Sequence, residues 1–245
     1  MSEAAPPVGG GAAIGQSQMA QTAGPDTETP AAQLIRRVLK ASQDLDPLGL
    51  QAQLDLAVTL LGLARCIDEI VMPAVRHLRR LLATGQRDAA QDLMATEAVR
   101  TWLNHRGAVA PSPQEIGPIL LACGPRDRQT VGLESLALLL RFQRWPCRVL
   151  GARTSTFTLT IAAQAADATG VVVISTEGRG LQQAIVSLRA VDALGVPVFF
   201  GGDAFEPEHG RLQLPGRYLG SGIQGACTLL ISTLAPAVQR RSVAR

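Results

Sequence analysis

The chain has 245 residues, 47% of them hydrophobic but only 3% aromatic, so a sizeable core is available and aliphatic side chains must fill it. Its 23 Lys+Arg against 20 Asp+Glu leave a net charge of +3, too small to mark a nucleic-acid footprint by itself. Cys66, Cys123, Cys147 and Cys227 lie far apart with no CxxC pair, which argues against a zinc site or a disulfide framework.

Residues 1–29 are rich in Ala, Gly, Pro, Gln, Ser and Thr and carry no apolar period, which predicts a disordered tail. They lack the basic start and apolar run of a secretory signal, and no later apolar run is long enough to span a bilayer. A soluble, cytoplasmic protein is expected, with no membrane association.

Residues 30–106 read as a bundle of four helices. Segments near Ala31–Ala41 and Pro47–Leu60 are amphipathic. Leu63, Ile67, Ile70, Val71, Ala74, Leu78 and Leu81 then recur at three- and four-residue steps. Pro73 inside that face predicts a kink, and Gly85 ends the helix. Asp88 in the next first turn suits the helix dipole, and Ala90, Leu93, Met94, Ala98 and Trp102 mark the fourth face.

Residues 107–116 form a Pro-rich linker, after which the rhythm changes. Ile119–Ala122, Arg148–Leu150, Val171–Ile174, Val196–Phe200 and Arg217–Leu219 are short apolar runs. Helical stretches near Val131–Arg141, Phe157–Ala166 and Leu181–Leu194 separate them, and Ile223–Leu234 follows. This alternation predicts an α/β domain over 117–236: a flavodoxin-like, five-stranded parallel sheet with helices on both faces. Residues 237–245 read as a basic tail.

Ligands of such a sheet sit beyond the carboxyl ends of its strands. The loops starting at Gly124, Gly151, Ser175 and Gly201 are therefore the candidate site, although they also read as ordinary βα turns. Gly220-Ser221-Gly222-Ile223-Gln224-Gly225 spells a dinucleotide fingerprint, yet it stands at the last strand with no acidic residue or strand to follow, so the match is read as accidental. His77, His105 and His209 stand beside no nucleophile, and Asp203 and Glu177 form no recognisable acid–base pair. No P-loop, HExxH or GxSxG pattern occurs. The prediction is a non-enzymatic chain.

Four segments carry a family resemblance: Ala122–Leu136, Trp145–Thr154, Leu214–Gly220 and Ala95–Arg100. From about Pro47 to Leu234 the chain resembles the cobalamin-binding domain of MerR-type, light- or ligand-responsive bacterial regulators. In that family a helical bundle caps a flavodoxin-like domain. The resemblance implies a lower-ligand motif, acidic-x-His-x-x-Gly, whose positions here are Asp127, Gln129 and Gly132, with Thr130 between them. Gln129 replaces the cobalt-binding imidazole, and a carboxamide is a far poorer metal ligand, so no metal site is expected. Asp127 is expected to hold the Gln129 amide. The family's later serine and glycine pair fall on Ser175 and Gly201-Gly202. Its Trp and Glu-His positions over the corrin fall on Leu82, Asp92 and Leu93, all departures. A winged-helix DNA-binding domain is missing from the residues before 30.

Three functions stay open on this resemblance. The first is a sensor that binds a tetrapyrrole between bundle and sheet, either cobalamin without a histidine ligand or haem or biliverdin. The second is a ligand-free scaffold for a regulator or other protein partner, and the third a corrinoid enzyme component. A homo-oligomer through the bundle is also left open.

Overall fold

The structure is a computed structural model describing residues 29–86, 88–206, 211 and 213–243. The expected tail lies outside these residues except for Thr29. That side chain accepts a hydrogen bond from the Ala32 N–H and starts α1, Pro30–Gln43. Asp46 caps α2, Pro47–Leu61, in the same way through the Gly49 N–H, and Pro47 fits the first helical turn where its missing N–H has no partner to lose.

The third rod is where the sequence reading is refined. It consists of a short α3, Leu63–Arg65, a π-helical stretch, Cys66–Val71, and α4, Met72–Ala83. Pro73 cannot donate to the helical ladder, and the chain absorbs this by widening the preceding turn, so that Met72 N–H reaches Ile67 C=O. The expected kink is a π turn. Gly85, with φ of 69°, then reverses the chain. Asp88 accepts from the Ala90 N–H and caps α5, Ala89–Ala108. These four rods pack on one another around Leu34, Leu50, Leu54, Ile67, Ile70, Ala98 and Trp102.

The sheet follows: β1 Ile119–Cys123, α6 Val131–Phe142, β2 Cys147–Gly151, α7 Thr156–Ala165, β3 Gly170–Ile174, α8 Leu181–Asp192, β4 Val198–Gly201, β5 Arg217–Tyr218 and α9 Ile223–Val243. Strand order is β2-β1-β3-β4-β5, all parallel, so the flavodoxin-like prediction is met. Alternating residues of β1 feed two cores. Ile119, Leu121 and Cys123 join the face covered by α6 and α9, whereas Leu120 and Ala122 join the face covered by α7 and α8.

The first of these cores is continuous with that of the bundle. α5 packs along α6, and Arg100 on α5 donates to Glu134 on α6 at 3.0 Å. The bundle is therefore fixed to the sheet by a shared interior. Two boundaries move accordingly. α5 runs into the expected linker as far as Ala108, and α9 continues through Pro236 to Val243, where a basic tail was predicted. Ala244 and Arg245 lie outside the described residues.

Candidate functional site

The crevice between bundle and sheet opens at the carboxyl ends of β3, β4 and β5, beside the switch point where the connection after β1 leads to β2 on one side and that after β3 leads to β4 on the other. Its floor consists of Ile174, Thr176, Gly201 and Gly202, and one wall of Gln129, Val131, Gly132 and Leu136. Leu219, Gly220 and the first turn of α9 form the other wall. The ceiling is one stripe of α4: Met72, Val75, Arg76 and Arg79, at the i, i+3, i+4, i+7 spacing of a single helical face.

Asp127 organises the floor without entering the crevice. It is fully buried, and its carboxylate accepts from Ser175 Oγ at 2.8 Å, Thr176 N at 2.7 Å, Thr176 Oγ1 at 3.1 Å and Glu177 N at 3.3 Å. This ties the loop after β1 to the loop after β3, and the N–H and O–H donors offset the cost of burying the charge. The expected Asp127–Gln129 contact is thus replaced: the carboxylate has spent its lone pairs on the neighbouring loop. Ser175, also fully buried, belongs to this knot and does not reach the crevice.

Gln129 is half-buried on the crevice wall, and its carboxamide makes no hydrogen bond to the described residues. Its backbone carbonyl accepts from Cys123 Sγ at 3.3 Å. Burial first, then the Asp127 and Glu134 charges, push the Cys123 thiol up to about 12, so it stays protonated and is a poor nucleophile. Gly132 lies in the first turn of α6 at the wall, while Thr130 precedes that helix and stays outside the lining. Gly202 has φ of 97°, and a Cβ there would stand 2.3 Å from the Ser175 carbonyl oxygen, so only glycine fits.

The bundle positions drawn from the resemblance lie elsewhere. Leu82 and Leu93 are 37% and 66% exposed, and neither they nor Asp92 line the crevice. α5 buries Ala95, Ala98, Val99 and Trp102, leaving Leu93 on another side of the helix. The π turn adds a residue to its helical turn and so sets which side of α4 meets the sheet. Sequence reasoning missed Met72, Val75, Arg76 and Arg79, although arginines beside an apolar helical stripe were a signal for them. His77 and His105 also lie away from the lining, and His209 is outside the described residues.

Two polar tethers hold the ceiling down. Asp68, in the π stretch, accepts from Ile223 N at 2.7 Å and Gln224 N at 3.1 Å, capping α9. The glycine fingerprint therefore receives the protein's own carboxylate where a dinucleotide phosphate would lie. Arg79 faces Asp203 across the mouth at 3.9 Å. Closed in this way, the crevice has a free volume of about 80 Å³.

No family model matches the sequence, and no curated protein resembles it significantly. Among solved structures, the monomethylamine corrinoid protein of Methanosarcina barkeri superposes with a TM-score of 0.66 at 9% identity, over 82% of this chain and 98% of that one. The chain has the fold of that corrinoid protein. The methanol:cobalamin methyltransferase complex of the same organism gives a TM-score of 0.43 at 17% identity, over 84% of this chain and 81% of that one. A cobalamin-binding protein of Desulfitobacterium hafniense DCB-2 gives 0.42 at 13%, over 80% and 96%. At 9% identity the likeness to the monomethylamine corrinoid protein extends to the fold alone. No helix among the described residues is long and apolar enough to cross a membrane.

Proposed function

We propose that this protein is a non-enzymatic regulatory module whose crevice takes a corrinoid or another tetrapyrrole, haem or biliverdin, with no metal ligand from the chain. The observation that carries this reading is the placement of Gln129, Gly132, Gly201 and Gly202 around one slot lined by Val131, Leu136, Ile174, Leu219 and Ile223. Glycines permit close approach of a bulky flat ligand, and the aliphatic walls favour its apolar body. The donor set suits hydrogen bonds and van der Waals contact and does not suit axial coordination of cobalt. A bound tetrapyrrole would supply a flat apolar surface and a visible absorption band. This chain's own residues would orient it and exclude water. The missing imidazole also counts against a corrinoid enzyme component, because methyl-carrier chemistry uses that ligand directly.

Titration of the purified chain with aquocobalamin, haemin and biliverdin tests the reading. A saturable shift of the absorption band with at least one of them is expected, and no uptake of any overturns it. Gln129→His is expected to tighten aquocobalamin binding and alter the cobalt spectrum.

A second reading has one observation in its favour. The closed volume of about 80 Å³ is well below the roughly 300 Å³ at the lower end of small-molecule sites. A ligand must therefore lift α4, or else the crevice stays shut and the scaffold serves a regulator or other protein partner.

A further inference from the structure

Two guanidinium groups line the crevice from its ceiling, Arg76 and Arg79, neighbours at i, i+3 on α4. They differ in what they meet. Arg79 stands 3.9 Å from Asp203, with side chains 27% and 50% exposed, which is a loose and partly solvated contact. Arg76 is half-buried, and its guanidinium makes no hydrogen bond or ion pair with the described residues. Its helical neighbours on the crevice stripe, Met72 and Val75, offer it no acceptor. The carboxylates nearest the fold's polar joints are engaged elsewhere: Asp127 by the loop after β3, and Asp68 by the start of α9. Asp203 and Glu206 also line the crevice, yet neither forms an ion pair with Arg76.

A guanidinium presents five N–H donors in a planar fork that matches a carboxylate, and Arg76 holds that fork at the crevice with no partner among the described residues. We infer that Arg76, seconded by Arg79, receives carboxylates of the crevice ligand. The ligand class is then a tetrapyrrole with free propionates, in preference to a corrinoid whose side arms are amides. A carboxylate arriving at Arg79 replaces Asp203, so the same contact that admits the ligand releases one of the tethers on α4. This inference rests on the reading of the crevice as a tetrapyrrole site.

The test uses the full chain and three probes: biliverdin, its dimethyl ester, and aquocobalamin. Biliverdin is expected to bind about tenfold tighter than the ester, the yield of one charge-assisted pair. Arg76→Gln should cut the acid-to-ester affinity ratio toward the share that Arg79 supplies, and Arg76→Lys should restore part of it. Equal binding of acid and ester by the wild-type protein overturns the carboxylate role and leaves the tetrapyrrole reading standing, with no variant needed. Tighter aquocobalamin binding, untouched by Arg76→Gln, does the same. Failure of all three probes to bind removes both.

Discussion

The crevice floor is locked by backbone geometry around the buried Asp127 carboxylate, whereas its ceiling rests on the Asp68 tether, the loose Arg79–Asp203 pair and the packing of α4. On the floor, Gly202 adopts a conformation that other residues rarely adopt, and four donors converge on Asp127. In the ceiling, a π turn lies just before the stripe that faces the sheet. Of the two tethers, one is a helix cap and the other is a loose, partly solvated ion pair. The difference gives the crevice a rigid half and a yielding half, which a ligand of the proposed kind would meet together. Opening is expected by movement of α4, because the α5–α6 contact and the continuous core keep the rest of the bundle in place.

Substitutions should rank accordingly. Asp127→Ala leaves Ser175 Oγ and two loop N–H groups without their acceptor, and should cost about 4 kcal/mol in urea unfolding. A cost below about 1 kcal/mol would mean that the floor is not locked there. Gly202→Ala forces a Cβ against the Ser175 carbonyl at positive φ and should cost about 3 kcal/mol. A neutral outcome by thermal denaturation would break the same side of the comparison. Asp68→Ala removes a cap and should cost only about 1 kcal/mol, with faster amide hydrogen exchange at Ile223 and Gln224. Unchanged exchange there would show that packing, not the tether, holds α4.

Much of the fold was legible. Short β-branched runs such as Val171–Ile174, alternating with helical periods, specify parallel βαβ units, and such strands must be buried on both faces. Gln129, Gly132, Gly201 and Gly202 could be placed at the crevice because strand ends and topology fix them there. Asp127 was found for the wrong partner, since sequence proximity favours Gln129 while the carboxylate turns to a loop 48 residues away. Leu82, Asp92 and Leu93 were misplaced relative to the crevice because their placement assumed the resembling family's bundle register. A π turn and the pairing of α5 with α6 set that register here.

The sequence by itself determined the order of elements, the parallel sheet and the presence of a carboxamide at residue 129, because these follow from local periodicity and from side-chain chemistry. Only the tertiary structure decided which side of α4 meets the sheet, where the Asp127 and Asp68 carboxylates find their donors, and how far the crevice is closed. Such outcomes depend on contacts between residues far apart in the chain, where a rotation of one helix by a single residue exchanges a leucine for an arginine.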